Sequence, residues 1–153
     1  MKLLWIILLS HTLCFSQNIE LKDLRASFID ADQSEEKCYD LINKSNKIME
    51  GDDVAKAYYA AAIMISAQFK ANPFDKWNKF LTGKDILENL IESNYNNLEI
   101  RFLRYCMQKK TPRLLGYNDK IEEDKKLLAT LTISLDKELF NFINPILKTL
   151  NND

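Results

Sequence analysis

Histidine is almost missing from this sequence. The one copy, His11, falls in an N-terminal leader, so the chain that follows it has none. That removes Ser-His-Asp and Cys-His activation of a nucleophile, histidine-ligated zinc and di-iron bundles and c-type haem attachment. A general acid or base would have to be Asp, Glu, Lys or Tyr. Glycine and proline are scarce too, three of each, and each falls near a boundary or a kink. With few breakers and no sustained period-two alternation, no sheet is expected and the chain after the leader reads as helix. There is no excess of positive charge either. The net charge is −1, with 21 basic and 22 acidic residues, and losing Lys2 with the leader leaves 20 against 22, or −2. Nothing here would hold nucleic acid through counterion release.

What is present begins with the leader. Lys2 supplies a positive charge, Leu3 to Leu9 an apolar run, and Cys14 and Ser16 small residues at minus three and minus one from a cut before Gln17. This is the layout of a secretory signal peptide. The run is shorter than the ~20 residues a membrane span requires, so no transmembrane segment is expected in the mature chain. Lipidation at Cys14 is the weaker reading, because Leu13 stands where a lipoprotein signal wants Gly, Ala or Ser. The expected organisation is a signal peptide over residues 1–16 and one helical domain over 17–153, periplasmic or secreted after cleavage at Ser16/Gln17. The mature domain keeps two cysteines, Cys38 and Cys106. Export permits a disulfide between them, whereas their positions on apolar helix faces suit two buried thiols.

Helical periodicity predicts about six or seven helices. Leu21–Ala31 and Ser34–Ile48 come first, the second with Cys38, Leu41, Ile42, Ser45 and Ile48 on one face. Asp52 or Asp53 caps a third, reaching about Lys70, that is apolar nearly all round and rich in alanine, as suits the middle of a packed domain. Asn72-Pro73 opens a fourth. At Thr82-Gly83 it bends or restarts, with Thr82 a possible new cap. A turn at Asn94–Asn97 leads to a helix ending near Gln108. The stretch Lys109–Asn118 is irregular, and Leu114, Leu115 and Tyr117 predict that it packs onto the body. A helix over Asp119–Thr132 follows, with Glu122-Glu123-Asp124 at its dipole-favoured start. Ser134 can cap a last one, kinked or interrupted at Pro145. From Ser34 onward these form three helical hairpins of about 40 residues each, a period that fits a stack of the TPR or HEAT kind. The expected fold is all-α, either such stacked hairpins or a compact orthogonal bundle.

The helix from Asn96 to Gln108 carries the least ordinary charge pattern. At about 100° per residue, Asn97, Arg101, Arg104 and Gln108 share one stripe, while Glu99 projects from the opposite, apolar side. Asn96 as N-cap with Glu99 three residues on would form a capping-box-like pair, which makes Glu99 structural. For the arginines two readings stand. They bridge to acids of the preceding helix, Glu88 or Glu92. Alternatively they form an anion site with Lys109, Lys110, Arg113 and Tyr117, since arginine meets carboxylate or phosphate in a forked geometry. Gly116 is expected to punctuate the loop. Trp77, Phe80, Tyr58 and Tyr59 read as core, with a cofactor or lipid pocket as the lesser reading. Ser134–Lys137 spells S-x-x-K without its partner motifs, and Thr82–Asp85 lacks the glycine and hydroxyl of a phosphate loop. No catalytic residue, metal site or cofactor follows from the sequence.

The stretch from Asn72 to Leu128 resembles a family of small, secreted, all-helical proteins of flavobacteria-like bacteria to which no activity is assigned. The residues that carry this are Asn72-Pro73, Lys76, Phe80, Gly83, Leu87-Glu88, Ile91, Asn97, the run Glu99–Arg104, Gln108, Pro112, Leu115-Gly116-Tyr117, Ile121 and Asp124. The Phe-Ser-Gln end of the leader is similar too. The resemblance implies an exported compartment and a helical fold, and nothing catalytic. The leading functional expectation is an exported, non-enzymatic interaction or scaffold domain that meets another protein or an envelope component. The alternative is an anion- or small-ligand-binding domain using the Arg101/Arg104 face, and the third is a carboxylate-based hydrolase.

Overall fold

The computed structural model describes residues 20–130 and 137–152. Among these the chain forms seven helices and no strand, as the periodicity predicts. They are α1 (20–30), α2 (Glu35–Ile48), α3 (Asp53–Ser66), α4 (Pro73–Ser93), α5 (Leu98–Lys110), α6 (Ile121–Leu128) and α7 (Lys137–Asn152), with short 3-10 turns at Ala67–Phe69 and Arg113–Leu115. The leader, Thr132 and the Ser134 cap lie outside the described residues. Among the described residues no helix is long and apolar enough to cross a membrane.

Local chemistry accounts for most of the boundaries. Ser34 accepts from the Lys37 amide, Asp52 from Ala55 and Asn72 from Phe74, so each of these three helix starts has a donor satisfied by its cap. Gly116 ends the second 3-10 turn at φ +65°, a left-handed conformation that glycine adopts without a steric penalty. The predicted break at Thr82-Gly83 does not occur, and α4 runs unbroken for 21 residues. Thr82 donates its hydroxyl to the Asn78 carbonyl instead of capping a new helix. Pro145 likewise sits inside α7 without ending it. The carbonyl its missing N–H would have paired is that of Asn141, and both residues are exposed, so water can take that bond.

The helices share one core. α3 packs against α2, α4 and α5, and α5 packs in turn against α4, α6 and α7. Phe28 of α1 meets Tyr58 of α3 and Phe102 of α5 edge-on, and Phe102 meets Phe142 of α7 in the same way. Arg25 of α1 reaches both α5 and α7. First and last helices therefore close on the same central pair, which makes the arrangement compact rather than an open row of hairpins. The alanines of α3 allow this, with nine of its fourteen residues buried.

Gly83 explains why α4 crosses α3 so closely. A Cβ there would lie 2.5 Å from the Ala60 carbonyl oxygen and 2.9 Å from the Met64 amide. A backbone oxygen cannot swing aside as a side chain can. Gly83→Ala is therefore expected to destabilise the fold by about 1–3 kcal/mol through overpacking, although alanine in an open helix would gain roughly 1 kcal/mol over glycine. Urea unfolding of the variant would check the sign.

Candidate functional site

The α5 helix is buried over ten consecutive residues, Glu99 to Gln108. Its polar stripe does not face water. Asn97, not Asn96, is the N-cap, its side chain accepting from the Glu99 and Ile100 amides. That single carboxamide satisfies the helix start, so Glu99 is not needed for a capping box and its side chain points into the core. There it takes a forked pair of bonds from Arg25, Nε at 2.8 Å and Nη2 at 2.7 Å, and a third from the Tyr58 hydroxyl at 2.8 Å. Arg25 turns its remaining nitrogen to Glu138 of α7 at 3.0 Å. The Glu99 hydrogen bond holds the Arg25 guanidinium firmly charged, against the opposing effect of burial. Desolvation, reinforced by the Glu99 charge, pushes the Tyr58 hydroxyl well above its usual range.

The opposite side of α5 forms a second closed network. Asp124 of α6, fully buried, binds Arg104 through both oxygens at 2.8 Å and also touches Arg101 Nε. Arg104 reaches Glu88 of α4 at 2.9 Å, and Arg101 reaches Glu123 at 2.6 Å while its guanidinium lies 4.7 Å from the Tyr95 ring centre. Burial works against the Arg104 charge, but its bonds to Asp124 and Glu88 prevail and raise its pKa. Arg101 Nη1 has no hydrogen-bond partner, although its side chain borders a shallow cleft with Tyr95, Glu123 and Lys126. Gln108 extends the same stripe. Its carbonyl accepts from the Lys120 amide at 3.1 Å and so holds the start of α6, which has no side-chain cap of its own.

Of the two acids expected to meet the arginines, Glu88 does so. Glu123 and Asp124 supply the rest and do more than favour a helix dipole. Two guanidiniums thus face three carboxylates, which leaves no positive excess for an anion. Of the remaining residues of the proposed anion site, Tyr117 joins this network through Glu88, whereas Lys109, Lys110 and Arg113 do not. Tyr117 is buried with its hydroxyl on Glu88, its ring edge-on to Phe80 and Lys84 over its face. Lys110 pairs with Asp32 at 2.6 Å, Lys109 is half-buried, and Arg113 is exposed on the 3-10 turn. Arg25 and Tyr58, which complete the Glu99 cluster, were not singled out by any motif. Arg25 falls on the same side of α1 as Leu24 and Phe28, and that is the signal the sequence held.

The two buried tyrosines make stability sensitive to alkali. Burial and then the bond to Glu88 push Tyr117 upward, as burial and Glu99 do for Tyr58. Both therefore stay protonated in the fold while the unfolded chain ionises near pH 10. Stability is unaffected below that pH and falls above it, by up to about 1.4 kcal/mol per pH unit for each tyrosine. Replacing both with phenylalanine should flatten the decline measured between pH 10 and 11.5.

Cys38 and Cys106 are both free and buried. Cys38 donates to the Ala62 carbonyl of α3, and burial pushes its thiol up to about 11; Cys106 lies fully enclosed in α5, and burial raises it further still. Such thiols are inert. Among the described residues no group of three or more Cys, Asp and Glu side chains could hold a metal ion.

A concavity lined by apolar side chains lies elsewhere. It is a half-open groove of about 590 Å³ between the end of α3, the start of α4, the end of α5 and the turn after it. Met64, Ile65, Trp77, Phe80, Met107 and Leu115 line it, with Asp32, Lys76 and Lys110 at its polar margin. The irregular segment does not pack down as its apolar residues suggested. Tyr117 is anchored, but Leu114 is 96% and Leu115 38% exposed. Pro112 and the left-handed Gly116 hold Arg113–Leu115 as a turn that lifts these side chains off the body. On the facing helix Phe74 is 78% and Trp77 43% exposed, although Trp77 stacks on the buried Phe80. No protein-family model, curated protein or solved structure matches the chain.

Proposed function

We propose that this protein is an exported, non-enzymatic helical domain that acts by binding another protein or an envelope component at the groove between α3, α4 and α5. The observation that carries this reading is the exposure of Trp77 and Leu115 at one concave apolar surface, with Phe74 exposed one helical turn before Trp77. Apolar side chains gathered at a cleft mark an interaction or ligand site, whereas scattered ones need no explanation. The charges argue in the same direction. Glu88, Glu99, Glu123 and Asp124 are each committed to an arginine. The groove is bordered by a single acid, Asp32, which is paired with Lys110, whereas a carboxylate hydrolase needs two carboxylates converging on its substrate. The leader supports export.

Two measurements test this. N-terminal sequencing of protein recovered from the periplasmic or extracellular fraction should begin at Gln17; an uncut chain retained in the cytoplasm overturns export. A photo-crosslinking residue at position 115 or 74 should trap a discrete adduct in the native host, while one at position 47, on the far helix α2, should not. Equal labelling at all three positions overturns the groove as the contact surface.

A further inference from the structure

Resting on that reading, we infer that the groove binds a single-chain anionic amphiphile of the long-chain carboxylate type, its hydrocarbon tail among the methionines and aromatics and its head at Lys76 and Lys110.

Three observations carry this. The first is size. A cavity of about 590 Å³ lies within the ~300–1,000 Å³ typical of small-ligand clefts. A docked helix ~10 Å across fills roughly 500 Å³ per turn, so the groove would hold only about one turn of it. The second is the scarcity of hydrogen-bonding groups. The walls carry few polar side chains, and most of these are already paired. Of the polar side chains, Thr111 donates to the Met107 carbonyl, Gln68 to the Asp32 carbonyl, and Lys110 to the Asp32 carboxylate. An extended peptide would leave its own amides without partners there, a cost of about 1–3 kcal/mol for each buried group. A hydrocarbon chain leaves none, and the flexible thioethers of Met64 and Met107 can conform to it.

The third is charge. Segments 73–80 and 107–115, which form two sides of the groove, contain five basic residues (Lys76, Lys79, Lys109, Lys110 and Arg113) and one acid, Asp75. The chain as a whole is −1, so everything outside these segments sums to −5. Lys76 borders the groove and has no ion-pair partner among the described residues. Lys110 could exchange Asp32 for a ligand carboxylate. Apolar surface and unneutralised positive charge thus adjoin at this groove.

Trp77 provides the readout, because Trp5 is the other tryptophan of the chain and Trp5→Phe leaves Trp77 alone. The full-length Trp5→Phe protein would be titrated at pH 8 with laurate below its micelle concentration, and separately with monolaurin, which carries a similar chain on a neutral head. The expected result is a saturable, one-to-one blue shift with laurate bound at least tenfold more tightly than monolaurin. Lys76→Glu with Lys110→Glu should remove that preference. Leu115→Asp, an exposed turn position, should weaken both ligands at least tenfold with the helical circular dichroism unchanged. Equal affinity for the two ligands overturns the anionic head, and binding indifferent to Leu115→Asp overturns the groove as the site. Two further probes separate this inference from the reading beneath it. Trp77 responding to anionic phosphatidylglycerol vesicles or to an acidic amphipathic peptide, but not to laurate, overturns the amphiphile and leaves the interaction surface standing. No response to any probe, with no crosslink at position 115, overturns both.

Discussion

Replacing Glu99 by alanine is expected to cost about 3–5 kcal/mol of folding stability, a large part of the ~5–15 kcal/mol that holds a domain of this size together. The loss does not measure the strength of the bridge. It arises because the Arg25 guanidinium and the Tyr58 hydroxyl would remain buried with their shared acceptor gone. Two controls isolate that cause. Glu138→Gln removes the other partner of Arg25, but Glu138 is half exposed and its bridge is screened by water, so a loss below about 1 kcal/mol is expected. The triple change Arg25→Met, Glu99→Leu, Tyr58→Phe removes the three buried polar members at once and should recover most of the loss, because a buried ion pair is often no better than well-packed apolar residues. Urea midpoints of the three proteins decide the matter. If the triple variant is as unstable as Glu99→Ala, packing rather than desolvation is the source.

Asp124→Ala should be comparably severe, again about 3–5 kcal/mol. This carboxylate is fully buried and serves Arg101 and Arg104 together. Removing it strands two guanidiniums that are themselves buried, with Glu88 and Glu123 each left to neutralise one from the margin. Asp124→Asn keeps a hydrogen-bond acceptor without the charge and should fall between the variant and the parent. Glu123→Gln is the surface control. Its hydrogen bond to Arg101 holds its carboxyl below the usual range, so whatever it contributes is present near neutrality and fades as pH falls through that lowered value. Being 37% exposed, it should cost little and lose its effect in high salt. The Asp124 variants should stay unstable in the same salt, because buried charges are poorly screened. Chemical denaturation at low and high ionic strength distinguishes the two behaviours.

Both predictions concern one helix, and they locate where reading the chain alone succeeds and where it stops. The helices themselves follow from local information. Asn72-Pro73, Asp52 and Ser34 announce their starts, the alanines of α3 announce a central position, and Cys38 and Leu41 announce a buried face. These signals work because capping and periodic burial involve residues within a few positions of one another. The boundary errors have the same origin. Gly83 reads locally as a break, but its function is non-local, to let the Ala60 backbone approach.

The charges of α5 could not be assigned in this way. Arg101 and Arg104 on one stripe are equally compatible with a solvated face, an anion site or a buried bridge. What separates these is whether α6, about 20 residues later, brings Glu123 and Asp124 against them. Glu99 depends on Arg25, 74 positions earlier. The groove depends on the turn at Arg113–Leu115 standing off the body opposite Trp77, although leucines in a loop more often pack down. Composition and periodicity thus determined the helical class, the absence of histidine from the described residues and the expectation of export. The neutralisation of the arginines and the open apolar groove were decided by tertiary contacts, because electrostatic and packing partners are chosen by distance in space and not by separation along the chain.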